Sequence, residues 1–199
     1  MSRMDALQRL GDERKAWRKS HPRGFAADQG TLSDNTVDLY HWKCIVPAKA
    51  GIEELFMWSY NACGELLLQS IDAHGCTWRL TLRATDWEDG YFPVTLQFSR
   101  GCPSEPPKCK FPADFFHPNV YQTGCVYLSF FNKDSGWRPA ISVKQILVGI
   151  QDLLDEPNPA HPVHNEAYHL FIQDPVEYKK RIRQQAKQYP PPMQNSRNI

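Results

Sequence analysis

No apolar run in this 199-residue chain approaches the roughly 20 residues that a membrane-spanning helix needs. The first residues also carry no apolar signal-peptide core. Both absences lead to the expectation of a protein of the cytosol and nucleus, with no membrane partner. Charge of one sign is not in excess: 23 Lys and Arg stand against 22 Asp and Glu, a net charge of +1, so total charge gives no pull toward nucleic acid. The six cysteines, Cys44, Cys63, Cys76, Cys102, Cys109 and Cys125, are scattered, and in a reducing compartment they are free thiols. Cys63, His74 and Cys76 come nearest to a metal set, but no fourth ligand has zinc-site spacing. Nothing suggests nucleotide or metal binding, so no cofactor is expected.

What is there is 41% hydrophobic and 23% charged, the composition of a globular domain with one core. Charge is uneven at the front, where Arg3, Arg9, Arg14, Lys15, Arg18, Lys19 and Arg23 face only Asp5, Asp12 and Glu13. Met4, Leu7, Leu10 and Trp17 are spaced as one apolar helix face, ended by His21-Pro22 and Gly24. Strands are expected at Phe25 to Ala27, Val37 to Pro47, Phe92 to Phe98 and Lys108 to Phe111. Pro112 to Pro139 has no convincing period and many aromatic residues, and a loop this long in a compact domain is a place to look for chemistry.

Helices follow. Ser142 and Gln145 form a capping box before a stripe of Val143, Ile146, Leu147, Ile150 and Leu154, which Pro157 and Pro159 end. A short helix is expected near Glu166 to Ile172. Asp174, Pro175 and Glu177 open a last one, on which Glu177 and Arg181 are spaced as an i,i+4 pair. Strands grouped before helices predict an α+β domain with an antiparallel sheet. It covers residues 1–189, and 190–199 read as a loose tail.

In the long loop, Phe116-His117-Pro118-Asn119-Val120-Tyr121 resembles the His-Pro-Asn signature of ubiquitin-like-protein conjugating enzymes. Trp137-Arg138-Pro139-Ala140-Ile141, Lys144-Gln145-Ile146-Leu147, Glu156-Pro157-Asn158 and Glu166-Ala167-Tyr168 follow at that family's spacing. With Glu13 to Lys19 and Pro106-Pro107-Lys108-Cys109-Lys110-Phe111, the chain is most similar to the SUMO-conjugating branch. The resemblance extends over roughly four-fifths of the chain, and its specificity lies in the motifs taken together.

The resemblance implies the UBC fold: an N-terminal helix, a four-stranded antiparallel sheet, a long active-site loop and C-terminal helices. It implies acyl transfer, in which a cysteine takes SUMO as a thioester from an activating enzyme and passes it to a substrate lysine. The implied partners are SUMO, the SUMO-activating enzyme, SUMO ligases and lysine-containing substrates. Asn119 would be the donor that steadies the oxyanion, or would pin its own loop. Tyr121, Lys108 and Lys110 match positions that contact the acceptor; each lysine would otherwise be part of a solvated strand face. Arg14, Lys15, Arg18, Lys19 and His21 match the surface for SUMO or the activating enzyme, a helix face that would otherwise be merely solvated.

Three departures set this chain apart. The family nucleophile lies eight residues after the asparagine, and here that position is Tyr127, whose phenol cannot form a thioester. Cys125 lies two residues earlier, on the same face of an extended segment but displaced by roughly 6–7 Å; it is either the working nucleophile or a bystander thiol. Where the family has an acid near the incoming lysine, this chain has His161, which accepts a proton when neutral and repels lysine when charged. Finally, residues 52–84 are an insertion between two halves of one family stretch, Pro47 to Gly51 and Thr85 to Gly90. They are either a real excursion, with strands at Phe56 to Tyr60, Glu65 to Ile71 and Thr77 to Ala84, or a retained noncoding segment. Two main functions compete: a SUMO-conjugating enzyme using Cys125, and a binding module that keeps the partner surfaces without turnover. A ubiquitin conjugator is a third, which the basic first helix opposes.

Overall fold

The computed structural model describes residues 3–49, 59–60, 66–71, 77–80, 85–127 and 136–192. The order is α1 (Arg3–Lys19), β1 (Ala26–Thr31), β2 (Val37–Pro47), β3 (Ser59–Tyr60), β4 (Leu66–Ile71), β5 (Thr77–Leu80), β6 (Tyr91–Gln97), β7 (Lys108–Lys110), α2 (Val143–Asp155), α3 (Asn165–Gln173) and α4 (Pro175–Ala186). The main sheet is antiparallel in the order β1-β2-β6-β7, as the α+β expectation requires; β3-β4-β5 form a second antiparallel sheet within residues 52–84.

Alternation buries one face of the main sheet. Trp42, Cys44 and Val46 of β2 and Phe92, Val94 and Leu96 of β6 point inward. Against them lies the α2 stripe of Val143, Ile146, Leu147, Ile150, Leu153 and Leu154. The α2 capping box is present in full: Ser142 Oγ accepts from Gln145 N, and Gln145 Oε1 accepts from Ser142 N at 2.9 Å. Such a cap contributes about 1 kcal/mol. Aromatic stacking extends the core under the long loop, with Phe111 on Phe115 at 4.1 Å and Phe115 on Trp87 at 5.8 Å.

Several expectations need correction. β1 starts at Ala26 and runs to Thr31; Phe25 instead closes a turn with Pro22 and is buried. Asp28, Gln29 and Gly30 hide the rest of this edge strand: Asp28 and Gln29 pair with Lys43 and Trp42 of β2, and the register shifts between Gln29 and Thr31. The inward face of α1 is Ala6, Leu10 and Trp17, whereas Leu7 is exposed; the Met4 side chain lies outside the described residues. Glu177 pairs with Lys180 at 3.1 Å, and Arg181 crosses to Glu166 on α3, because packing of α3 on α4 brings that carboxylate within reach. Of the insertion's expected strands, the described parts are β3, β4 and β5; its turns and Cys63, His74 and Cys76 lie outside the described residues. Of the tail, residues 190–192 are exposed without regular structure, and 193–199 lie outside.

Candidate active site

The long loop is built around a narrow ladder. Residues 124–127 run antiparallel between β7 and residues 119–121. On one side Phe111 N donates to Gly124 O and Val126 N to Cys109 O, both at 2.9 Å; on the other, Tyr127 N donates to Asn119 O at 2.8 Å and Tyr121 N to Cys125 O at 2.9 Å. Gly124 makes the turn possible. Its φ is +82°, and a Cβ there would lie 2.1 Å from Phe111 O, so a side chain is excluded by both conformation and space.

This register sorts the side chains by face. Val120 and Val126 form one cross-strand pair and Lys110 and Cys125 another. Val120 and Cys109 are buried, so that face belongs to the core. Burial pushes the Cys109 thiol well above its ordinary range and makes it unreactive. Lys108, Lys110, Cys125 and Tyr127 therefore point the other way, outward. Cys125 is partly exposed and free, and Tyr121 is 44% exposed. The outward face carries two rows. One is Lys110, Cys125, Tyr121. The other contains Tyr127 and Asn119, at the family's nucleophile position.

Asn119 is fully buried and its amide is fully used. Nδ2 donates to Asn158 O at 2.8 Å and to His161 O at 2.9 Å, and Oδ1 accepts from Asn158 N at 2.8 Å. With both N–H groups committed, Asn119 ties residues 158–161 to the ladder in this structure. His161 is brought to the site, where its ring meets Tyr127 edge-on at 5.4 Å. Both residues are tied to Asn119, Tyr127 through its N–H to Asn119 O and His161 through its carbonyl to Asn119 Nδ2.

Two supporting groups were not legible as such. His117 is fully buried; Nε2–H donates to Leu153 O at 2.9 Å and Nδ1 accepts from Asn119 N at 3.0 Å. Burial pushes its pKa down to about 3, so it is a neutral structural tie between α2 and the loop. Arg9 reaches from α1 to Pro139 O at 2.7 Å and Ile141 O at 3.1 Å while pairing with Glu13, whose Oε2 accepts from Val143 N at 3.0 Å. Only the long-range fold reveals that these two charges tie α1 to the start of α2.

The basic helix divides in the structure. Lys15, Arg18 and Lys19 are exposed, whereas Arg14 is half-buried and donates to Gln29 Oε1 of β1 at 2.9 Å. His21 stacks on Trp17 at 5.2 Å, and its Nδ1 bonds Trp17 O at 3.0 Å, capping the end of α1. None of these reaches the ladder; they form a separate surface. Asn132 to Ser135, also expected near the site, lie outside the described residues. Among the described residues no group of three or more His, Cys, Asp or Glu is placed to hold a metal ion.

A sequence model described as "Ubiquitin-conjugating enzyme" matches residues 64–186. The chain is 54% identical over 185 residues to the SUMO-conjugating enzyme SCE1 of Arabidopsis thaliana, covering 93% of this chain and 95% of that protein. It is 40% identical over 184 residues to the Sumo-conjugating enzyme ubc9 of Dictyostelium discoideum, covering 92% and 95%.

Proposed function

The chain belongs to the ubiquitin-conjugating enzyme family, and from that membership we propose that it is a SUMO-conjugating enzyme working through a thioester on Cys125. The observation that carries the activity is likeness over more than nine-tenths of the chain to proteins named for it. In favour of Cys125 is its partly exposed, unpaired thiol on the outward face of the ladder, the face shared with Tyr127.

The thiolate of Cys125 attacks the carbonyl carbon of the activating enzyme's SUMO thioester, and the activating enzyme's thiolate leaves. A substrate lysine then attacks the new thioester, the C–S bond breaks, and an isopeptide forms. Asn119 serves this chemistry by fixing the 158–161 loop, and His161 with Tyr127 borders the acceptor's approach. Lys108 and Lys110 on β7 and Tyr121 on the opposite strand flank the ladder on its two sides. SUMO, the activating enzyme and lysine-bearing substrates are the partners. We extend the list to SUMO ligases and assign the protein to nucleus and cytoplasm, acting on proteins without nucleic acid or membrane. The near-zero net charge supports the nucleic-acid part of that reading. No helix among the described residues is long and apolar enough to cross a membrane.

The test is incubation with activating enzyme, SUMO and ATP, followed by electrophoresis without reductant. The expected result is a SUMO adduct that Cys125→Ala abolishes. An adduct that survives Cys125→Ala overturns the assignment of the nucleophile. No adduct, with binding to the activating enzyme intact, overturns catalysis and leaves a binding module.

A further inference from the structure

Between the end of α2 and the corner of α3 and α4 lies a cavity of about 320 Å³ that acyl transfer leaves unused. That volume is within the range of small-molecule pockets. Its walls are largely apolar, from Trp87, Leu154, Phe171, Tyr178 and Ile182. They are held in place: the Trp87 indole donates to Leu154 O at 2.6 Å, and the Phe171 and Tyr178 rings meet edge-on at 5.3 Å. Thr85, Asp155 and Tyr178 also border the cavity, and each contributes a buried polar atom without a hydrogen-bond partner among the described residues. These are Thr85 Oγ1, Asp155 Oδ2 and the Tyr178 hydroxyl. Tyr178 is only 5% exposed. Buried polar groups are nearly always paired, and three unpaired ones around one cavity ask for an occupant that pairs them.

The charges around the cavity indicate the sign of that occupant. Asp86 and Lys179, at its border, pair with each other at 3.6 Å, and Asp86 also holds Arg183. Asp155 is less well served. Lys49 Nζ lies 3.8 Å from its Oδ2 but sits closer to Asp152, at 2.9 Å. Burial, together with the negative charges of Asp152 and Glu156, pushes the Asp155 pKa up, while Lys49 and the nearby Thr85 hydroxyl act against the shift. A second cation beside this carboxylate would offset its burial, and charge-assisted hydrogen bonds are among the stronger polar contacts. We propose that the cavity is a binding site for a small aromatic amine, with the ammonium on Asp155 and the ring among Trp87, Phe171 and Tyr178. The Thr85 and Tyr178 hydroxyls offer the further polar contacts. The site is separate from the ladder and does not depend on which residue is the nucleophile.

The test is a titration of the full-length protein with 2-phenylethylamine, charged at neutral pH, and with its neutral counterpart 2-phenylethanol. The assigned Trp87 indole N–H is followed by nitrogen–proton correlation NMR. The amine should shift this signal saturably, with a dissociation constant of about 1 mM or tighter, and should bind more tightly than the alcohol. Asp155→Asn keeps the shape of the side chain and removes its charge. It should weaken the amine about tenfold or more and leave the alcohol unchanged. Tyramine, which adds a ring hydroxyl, should lose affinity in Tyr178→Phe; this second variant reads the site independently of Asp155. No saturable shift at Trp87 up to about 10 mM amine overturns the site. Equal affinities for amine and alcohol, or an amine affinity that Asp155→Asn leaves intact, overturn the cationic ligand.

Discussion

His117 has no exposed surface, and both its ring nitrogens are engaged, one donating to Leu153 O and one accepting from Asn119 N. Protonation would turn the acceptor nitrogen into a donor facing an N–H. Burial is the main reason that its pKa falls from the ordinary 6.5 to about 3. In the unfolded chain the ring takes a proton as pH falls through its ordinary value, and the folded protein refuses it. The native state therefore has its full stability above that value and loses stability progressively toward the folded pKa, at up to ~1.4 kcal/mol per pH unit. Urea unfolding at about pH 7 and about pH 5 should show a drop of roughly 2 kcal/mol from this group. His117→Asn should be less stable at neutral pH but show a smaller drop; equal drops would remove His117 as the cause. At the nucleophile, Tyr127→Cys should charge with SUMO more strongly than wild type, because it puts a thiol in the row with Asn119. The double variant Cys125→Ala/Tyr127→Cys should charge through residue 127 alone. If it binds the activating enzyme and stays uncharged, more than the thiol's position has changed at the site.

At the scale of elements, local signals predicted what local forces build. The α2 stripe and its capping box, and the Asp174-Pro175-Glu177 start of α4, appear in the structure as their side chains dictate. The polar edge strand β1 was only partly legible, since its pairing with β2 uses backbone groups that leave no mark on side-chain pattern. The site loop was legible through its His-Pro-Asn motif and the i,i+2 relation of Cys125 to Tyr127. The pairing of Cys125 with Lys110 was not, because it joins residues fifteen positions apart through a turn that only Gly124 permits. The division within α1 was equally hidden: Arg14 packs toward β1 and Lys15, Arg18 and Lys19 do not. Reversing those last three to Glu should therefore leave the melting temperature nearly unchanged and weaken binding to SUMO or the activating enzyme about tenfold or more at low salt. Added salt should weaken the wild type and narrow the difference. Titration calorimetry at two ionic strengths decides it, and equal affinities at low salt would mean that the face is only solvated.

At the scale of the whole molecule, both flanks of the 52–84 segment are anchored on the rest of the fold. Before it, Pro47 pairs with Tyr91, Ala48 N donates to Gly90 O at 2.8 Å, and Lys49 Nζ lies 2.9 Å from Asp152 and 3.8 Å from Asp155. After it, Thr85 borders the same cleft as Asp155. The rejoining edge is held by α2 and α4. Trp87 is buried and donates to Leu154 O at 2.6 Å, and Asp86 is paired with Arg183 and Lys179 of α4 at 2.6 and 3.6 Å. Both edges are thus tied to α2 or α4, and Lys49 and Thr85 both lie near Asp155 of α2. Joining Gly51 directly to Thr85 should give a protein that melts cooperatively and still charges with SUMO. Loop closure costs only about 0.6 kcal/mol per doubling of length, so the deletion should shift stability by no more than ~2–3 kcal/mol, in the stabilising direction if residues 52–84 act as a long loop. Thermal melts of the two forms, with the charging assay as a second readout, test this. If the shortened chain fails to fold while the full chain folds, β3–β5 belong to the core rather than to an excursion from it.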